Sequence, residues 1–163
     1  MNRLLGAALA LLAMPLILTS AAHAQSTTTP VDLDVSITIE EECTVSNVVP
    51  VAFAATGILS DDVDAEGSVD VTCTTGTDYD IALGVASGTA SERILTGDDG
   101  TITYALYPDN TYGTAWGDEV GEDTKSSTGT GSAQTHTIYG RIPEQTTPAP
   151  GEYSDTVAIV VHY

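Results

Sequence analysis

Residues 31–40 read VDLDVSITIE, and this stretch decides the fold class. Aliphatic residues alternate strictly with polar ones, so one face of the segment is apolar and the other is polar. A period of two residues is that of a β-strand, in which successive side chains point to opposite faces. The stretch therefore predicts an amphipathic strand whose apolar face carries Val31, Leu33, Val35, Ile37 and Ile39.

The remaining sequence predicts further short strands joined by turns. β-Branched and aromatic runs alternate with clusters of Gly, Asp, Thr and Pro, and no window has a sustained helical period. The predicted strands are 48–55, 69–74, 79–83, 101–107, 136–142 and 156–163. The predicted loops are 60–67, 97–100 and 117–134. Short strands with turns of this kind are typical of an antiparallel sandwich or barrel.

The first 24 residues have the features of a signal peptide. Arg3 precedes an apolar run over residues 4–18, and Ala22-His23-Ala24 has the small–x–small form of a cleavage site. The run is too short to span a bilayer comfortably. We therefore expect export, no stable membrane insertion, and a single mature domain over residues 25–163.

The charge is strongly acidic. The chain has 23 acidic and 4 basic residues, a formal net charge of −19, and one of the four basic residues is Arg3 in the leader. A surface of this sign repels phosphates, so neither nucleic acid nor an anionic membrane is an expected partner. Solubility explains the acidity without any special site.

Cys43 and Cys73 are the only cysteines. An even count in an exported chain favours a disulfide. Closing a loop of about 30 residues should stabilise the fold by roughly 3 to 4 kcal/mol in the chain-entropy model.

The sequence ends within a predicted strand, since Val157, Ile159, Val161 and Tyr163 alternate to the last residue. No later segment is seen to cover the outer edge of this strand. We expect it to border an open groove that presents unpaired backbone groups. The strand over residues 31–39 of another copy is the predicted occupant, because strand addition supplies main-chain hydrogen bonds and side-chain pockets. Such a contact joins unlike surfaces and therefore propagates into a fibre.

Six blocks of sequence resemble the spore coat protein U domain, a family that is similar to archaic chaperone–usher pilus subunits. They are VDVTCT (69–74) with GTDYDIAL (76–83), TYALY (103–107), WGD (116–118), YGRIP (139–143) and GEYSDTV (151–157). The resemblance implies an incomplete immunoglobulin-like sandwich without its seventh strand.

The resemblance also implies partners and residue roles. The partners are neighbouring pilus subunits, a periplasmic chaperone and an outer-membrane usher, and the role is a surface pilus that serves adhesion or biofilm formation. The implied donor strand carries over onto the apolar face defined above, within an extension over residues 25–42 that precedes a domain over 43–163. The implied disulfide joins Cys43 and Cys73.

Two other hypotheses stay open: a non-polymerising secreted coat or matrix protein of the same fold, and an acidic carbohydrate- or calcium-binding module. Residues 62–67 mimic half of a calcium loop, but the twelfth position is Cys73 and not a carboxylate. Trp116 offers a ring for sugar stacking, although a core or loop-anchor role is favoured. His136 and His162 are the near-neutral bases of the mature chain, and no nucleophile motif accompanies them. We expect no enzyme, cofactor or metal site.

Overall fold

Among residues 25–163, which are those that the computed structural model describes, nine strands and no helix are found. The strands are β1 (Cys43–Val49), β2 (Val63–Cys73), β3 (Asp78–Leu83), β4 (Gly88–Thr89), β5 (Glu92–Gly97), β6 (Gly100–Tyr107), β7 (Lys125–Thr128), β8 (Gln134–Ile142) and β9 (Ile159–His162). No helix of this part of the chain is long and apolar enough to cross a membrane. The predicted signal peptide, residues 1–24, lies outside the described residues.

The strands form two antiparallel sheets. One sheet has six strands in the order β1-β2-β8-β6-β5-β4, and the other has three in the order β7-β3-β9. Buried and more exposed positions alternate along β2 and β8, so each strand contributes one face to the core. The fold is an all-β, immunoglobulin-like sandwich, as the sequence predicts.

The core joins both sheets through buried aliphatic and aromatic side chains. Trp116 is completely buried, and its indole N–H donates to the Ile81 carbonyl oxygen at 2.7 Å. Val69 and Val71 of β2 and Ile81 of β3 are also fully buried. The favoured core role of Trp116 is therefore correct, and its ring is not available for stacking on a sugar.

Four predicted strands are confirmed: 69–74, 79–83, 101–107 and 136–142 correspond to β2, β3, β6 and β8. Their C-terminal ends agree to within one residue, whereas β2 and β8 begin earlier than predicted. The predicted strand 48–55 is wrong. The strand there is β1, which ends before Pro50, where the missing backbone N–H interrupts the ladder. The predicted strand 156–163 is found over Ile159–His162 only.

Two predicted loops contain strands. Residues 63–67 extend β2, where they pair with β8 from Val63↔Ile142 to Gly67↔Ile138. Within 117–134, β7 pairs with β3. The side chains of β7 are polar, and their hydroxyl groups bind carboxylates of β3. Ser126 Oγ donates to Asp80 Oδ1 at 2.6 Å, and Thr128 Oγ1 donates to Asp78 Oδ1 at 2.8 Å. The short strands β4 and β5 were not predicted.

Residues 25–37 belong to a separate unit from Thr38–Tyr163. No strand pairing is found for residues 25–42, although the alternation over 31–40 predicts a strand. The alternating pattern shows that the segment can form an amphipathic strand. A strand also needs a neighbouring strand for its backbone hydrogen bonds, and residues 25–42 have none here.

Candidate functional site

A cleft of about 830 Å³ opens within the Thr38–Tyr163 unit. Its floor consists of core side chains from both sheets, mainly aliphatic: Leu83, Leu95, Ile102, Tyr104, Leu106, Ile138 and Ile142. Its two walls are the segment after β1 and the segment that leads into β9. The cleft is therefore a groove in the hydrophobic core between two stretches of backbone, and we refer to it as the groove.

The first wall is formed by residues 48–57, which leave the six-stranded sheet at Pro50 and pair with no strand beyond Val49. Val51 and Phe53 pack against the core from this wall. They lie directly over two glycines, because a Cβ on Gly140 would meet Val51 Cγ1 at 2.5 Å, and one on Gly67 would meet Val51 Cγ2 at 2.8 Å. The absence of side chains at these two positions allows the close approach.

The second wall ends in β9. This strand pairs with β3, from Leu83↔Ile159 to Asp80↔His162, and it forms the edge of the three-stranded sheet. Val157 and Ile159 line the groove, and Val161 packs against the core from the same strand. Tyr163 is 60% exposed and does not line the groove. An edge strand beside an apolar floor presents the unpaired N–H and C=O groups that an added strand requires.

Polar contacts fix the remainder of the second wall. Thr96 of β5 and Ser154 exchange two backbone hydrogen bonds of 2.9 and 3.1 Å. The Tyr104 hydroxyl donates to Asp155 Oδ2 at 2.6 Å. Burial, followed by this hydrogen bond, raises the pKa of Tyr104 well above its usual value. Asp155 is therefore held by a hydroxyl that stays protonated at any physiological pH.

Arg93 lies behind this wall and is 1% exposed. Its guanidinium donates to the carbonyl oxygens of Gly84 at 2.6 Å, Leu83 at 2.7 Å and Trp116 at 2.9 Å. Loss of hydration lowers the pKa of Arg93 from its usual value, although a guanidinium remains charged. Sequence reasoning missed this residue. The small number of basic residues could have indicated it, since a chain with 4 basic and 23 acidic residues is expected to hold each cation by specific contacts.

The predicted donor side chains are the largest set of exposed aliphatic residues in the described chain. Val31, Leu33, Val35 and Ile37 are 85–90% exposed, and Ile39 is 70% exposed. Exposed single apolar residues are ordinary, whereas five that alternate along one short segment are uncommon. Their insertion into a groove stays a prediction.

The disulfide between Cys43 and Cys73 is present, as predicted. The cysteines face each other across β1 and β2, and their Cα atoms are 4.1 Å apart. This is slightly below the 4.4–6.8 Å range of most disulfides and near the roughly 4.5 Å between directly opposed residues of a non-hydrogen-bonded antiparallel pair. Thr74 adds a second tether, since its N–H donates to the Glu42 carbonyl at 2.9 Å and its hydroxyl to the Glu40 carbonyl at 3.1 Å.

The calcium-like residues have another role. Asp62 and Asp64 hold Arg141 at 3.1 and 2.7 Å, and the guanidinium lies 3.6 Å from the centre of the Tyr112 ring. The hydrogen bond from Arg141 lowers the pKa of Asp64. These two carboxylates are therefore paired with a side-chain cation.

The two histidines differ in environment. His136 Nε2 and the Tyr79 hydroxyl form a buried hydrogen bond of 2.9 Å. Burial lowers the pKa of His136. His162 is exposed on β9. In the contacts found for residues 25–163, neither histidine side chain is hydrogen-bonded to a serine, threonine or cysteine.

Comparison with known proteins gives a family and a fold. The Spore Coat Protein U domain model matches residues 29–160. One chain of the CsuC–CsuE chaperone–tip adhesion subunit pre-assembly complex from archaic chaperone–usher Csu pili of Acinetobacter baumannii is similar, with 19% identity and a TM-score of 0.55. The match covers 77% of this chain and 40% of that chain. The same overall sandwich is therefore found in a solved structure that is considerably longer.

A second structure, the E. coli Hda pilus minor tip subunit HdaB, matches with 14% identity and a TM-score of 0.39. That match covers 75% of this chain and 79% of HdaB. No curated protein matches the chain.

Proposed function

Because this chain belongs to the Spore Coat Protein U domain family, we propose that it is a structural subunit of a secreted surface pilus or fimbrium. In this proposal the subunits assemble by donor-strand exchange, and the pilus serves adhesion or biofilm formation. The observation that carries it is the presence, in one chain, of an open apolar groove and an exposed amphipathic segment.

Chemical complementarity supports the exchange. The groove offers an apolar floor and the edge of β9, while residues 31–39 offer alternating aliphatic side chains and a free backbone. Successive side chains on one face of a strand are about 6.6 to 6.8 Å apart, so four of them extend along the groove at regular intervals. Burying four such side chains should contribute roughly 6 to 12 kcal/mol before the cost of ordering the strand.

The groove also supports the proposed partners. Before assembly, apolar side chains that line the groove and are only half-buried, such as Leu95, Ile102 and Ile159, remain accessible to water, which makes the free subunit prone to aggregation. A periplasmic chaperone that covers the groove, and an outer-membrane usher that receives the subunit, are the partners that we propose for transport to the cell surface. The role of the chain is then structural and not catalytic.

Polymerisation tests the proposal through Ile37→Asp in the mature chain. The carboxylate would have to enter the apolar floor of the groove, so we expect fibres to disappear in electron micrographs while the subunit remains folded. Thr38→Asp is the matched control, since the same substitution is placed one residue further on, on the polar face. Fibres of normal length and stability from Ile37→Asp would rule out exchange through this segment.

Deletion of residues 25–42 separates this proposal from a non-polymerising coat or matrix protein of the same fold. In the latter, the extension completes the sheet of its own chain, and the deletion would unfold the domain. Under strand exchange, the deleted chain still folds and is captured by a chaperone, but it donates no strand.

A further inference from the structure

Arg93 is a buried cation that binds backbone groups next to the groove without lining the groove itself. Its guanidinium binds carbonyl oxygens at the end of β3 and at Trp116, as described above. It does not itself line the groove, whereas Leu83, one of the residues that it binds, does. Removing a charge from water is costly, so a cation retained at this place is expected to have a specific task.

The end of β3 that Arg93 holds is connected to the second wall. The Gly84 N–H donates to the Ala158 carbonyl at 2.8 Å, immediately before β9 begins. The Leu83 N–H donates to the Gly117 carbonyl at 2.8 Å, next to Trp116. Arg93 thus binds the carbonyl groups of the same two residues, Leu83 and Gly84, whose N–H groups position the Trp116 loop and β9.

A second connection passes through Tyr104. This residue lies directly opposite Arg93 in the β5–β6 pair, and its hydroxyl binds the Asp155 carboxylate in the groove wall. Asp155 and Tyr104 both line the groove. Asp155, at one end of the 155–158 segment, is thus bonded to the cross-strand neighbour of Arg93, and Ala158, at the other end, is bonded to Gly84, whose carbonyl Arg93 binds.

We propose that Arg93 is a positioning residue for strand acceptance: with Tyr104 and Asp155 it holds residues 155–158 and the start of β9 at the spacing that an incoming strand requires. This inference rests on the proposed function. An empty groove has no strand to keep its walls apart, so the separation of the walls has to be fixed by contacts outside it. A groove whose walls are loose is competent to bind for only a fraction of the time, and the apparent affinity falls by that fraction.

The kinetics of peptide binding test the inference. The receptor is the mature chain carrying Ile37→Asp, which cannot donate its own strand, and the probe is a fluorescent peptide of residues 29–41. Association and dissociation rates are measured for this parent and for versions that also carry Arg93→Lys or Tyr104→Phe. Lysine keeps the charge but lacks the planar fork that reaches three carbonyls. Tyr104→Phe removes one hydroxyl group and preserves the ring, so it remains informative if the lysine variant does not fold.

Positioning predicts slower association and an unchanged dissociation rate, because neither change removes a contact with the peptide. We expect association to slow by about fivefold or more in both variants, as the competent fraction falls. Tyr79→Phe is the matched control, since it also removes one buried hydroxyl, which bonds to His136 away from the groove. It should lower the melting temperature and leave both rates unchanged.

Three results would overturn the inference. Unchanged rates in Arg93→Lys and Tyr104→Phe, with only a lower melting temperature, would make the network purely structural. Faster dissociation alone would mean that these groups contact the strand directly. If the parent receptor fails to bind the peptide at all, the proposed function itself falls, and that outcome is distinct from the other two.

Discussion

Gly140 on β8 shows how one missing side chain shapes the groove. A Cβ at this position would meet Val51 Cγ1 at 2.5 Å and Phe53 Cζ at 2.9 Å. We predict that Gly140→Ala lowers the free energy of unfolding by about 1 to 3 kcal/mol, because the first wall must shift outward. Urea unfolding measures this. Gly57→Ala is the control, with nothing within 4 Å of its Cβ, and an equal loss in both variants would contradict the explanation.

His136 predicts a dependence of stability on pH. Burial lowers its pKa in the folded chain from the usual 6.5, so below that pH the unfolded chain binds the proton more readily. Stability should therefore fall as pH decreases through 6.5 towards the lower, folded pKa. The free energy of unfolding, measured with urea at pH 7.5 and at pH 5.5, should differ less between the two pH values in His136→Asn than in the wild type. The exposed His162→Asn should retain the wild-type difference, and its loss there would refute the assignment.

At the scale of elements, the two-residue period was sufficient for four of the strands that contribute to the core, but not for β5. It located β2, β3, β6 and β8, whereas the donor face of residues 31–39 stays a prediction. It missed β7, because Ser126 and Thr128 are held by Asp80 and Asp78, and contacts between residues so far apart in sequence leave no local pattern.

The groove was anticipated only in part. Val157 and Ile159 line the groove and Val161 packs against the core, but their role as its accepting edge stays a prediction, and the first wall was predicted to be a strand. The position of that wall depends on Gly67 and Gly140 in strands that follow it in the chain. Such packing is decided by the three-dimensional arrangement, as is the network of Arg93, Tyr104 and Asp155.

The disulfide makes a prediction for β1. It joins β1 to β2 next to the extension, and it closes a loop of 30 residues in the unfolded chain. We expect Cys43→Ser combined with Cys73→Ser to cost roughly 3 to 4 kcal/mol in urea unfolding. Reduction of the wild type should give the same loss, and reduction should not affect the double variant. An unchanged urea midpoint in the double variant would contradict a stabilising role.

For the whole molecule, charge is the dominant property. The three basic residues of the described chain are all engaged: Arg93 is buried, Arg141 is paired with Asp62 and Asp64, and Lys125 Nζ donates to the Pro108 carbonyl at 3.1 Å. Two copies that approach each other therefore repel. Polymerisation followed by light scattering should be faster in 0.5 M than in 0.05 M NaCl, because salt screens this repulsion. A slower rate at high salt would mean that attraction between opposite charges drives assembly.

Complementation between two defective chains tests strand exchange most directly. Ile37→Asp impairs the donor and leaves the groove intact, whereas Val157→Asp places a carboxylate in the groove lining and leaves the donor intact. Native mass spectrometry of each variant alone should find monomers. An equimolar mixture should give one-to-one heterodimers that grow no further, since one working strand meets one working groove. A mixture that stays monomeric, or fibres formed by either variant alone, would contradict assembly through residues 31–39 and this groove.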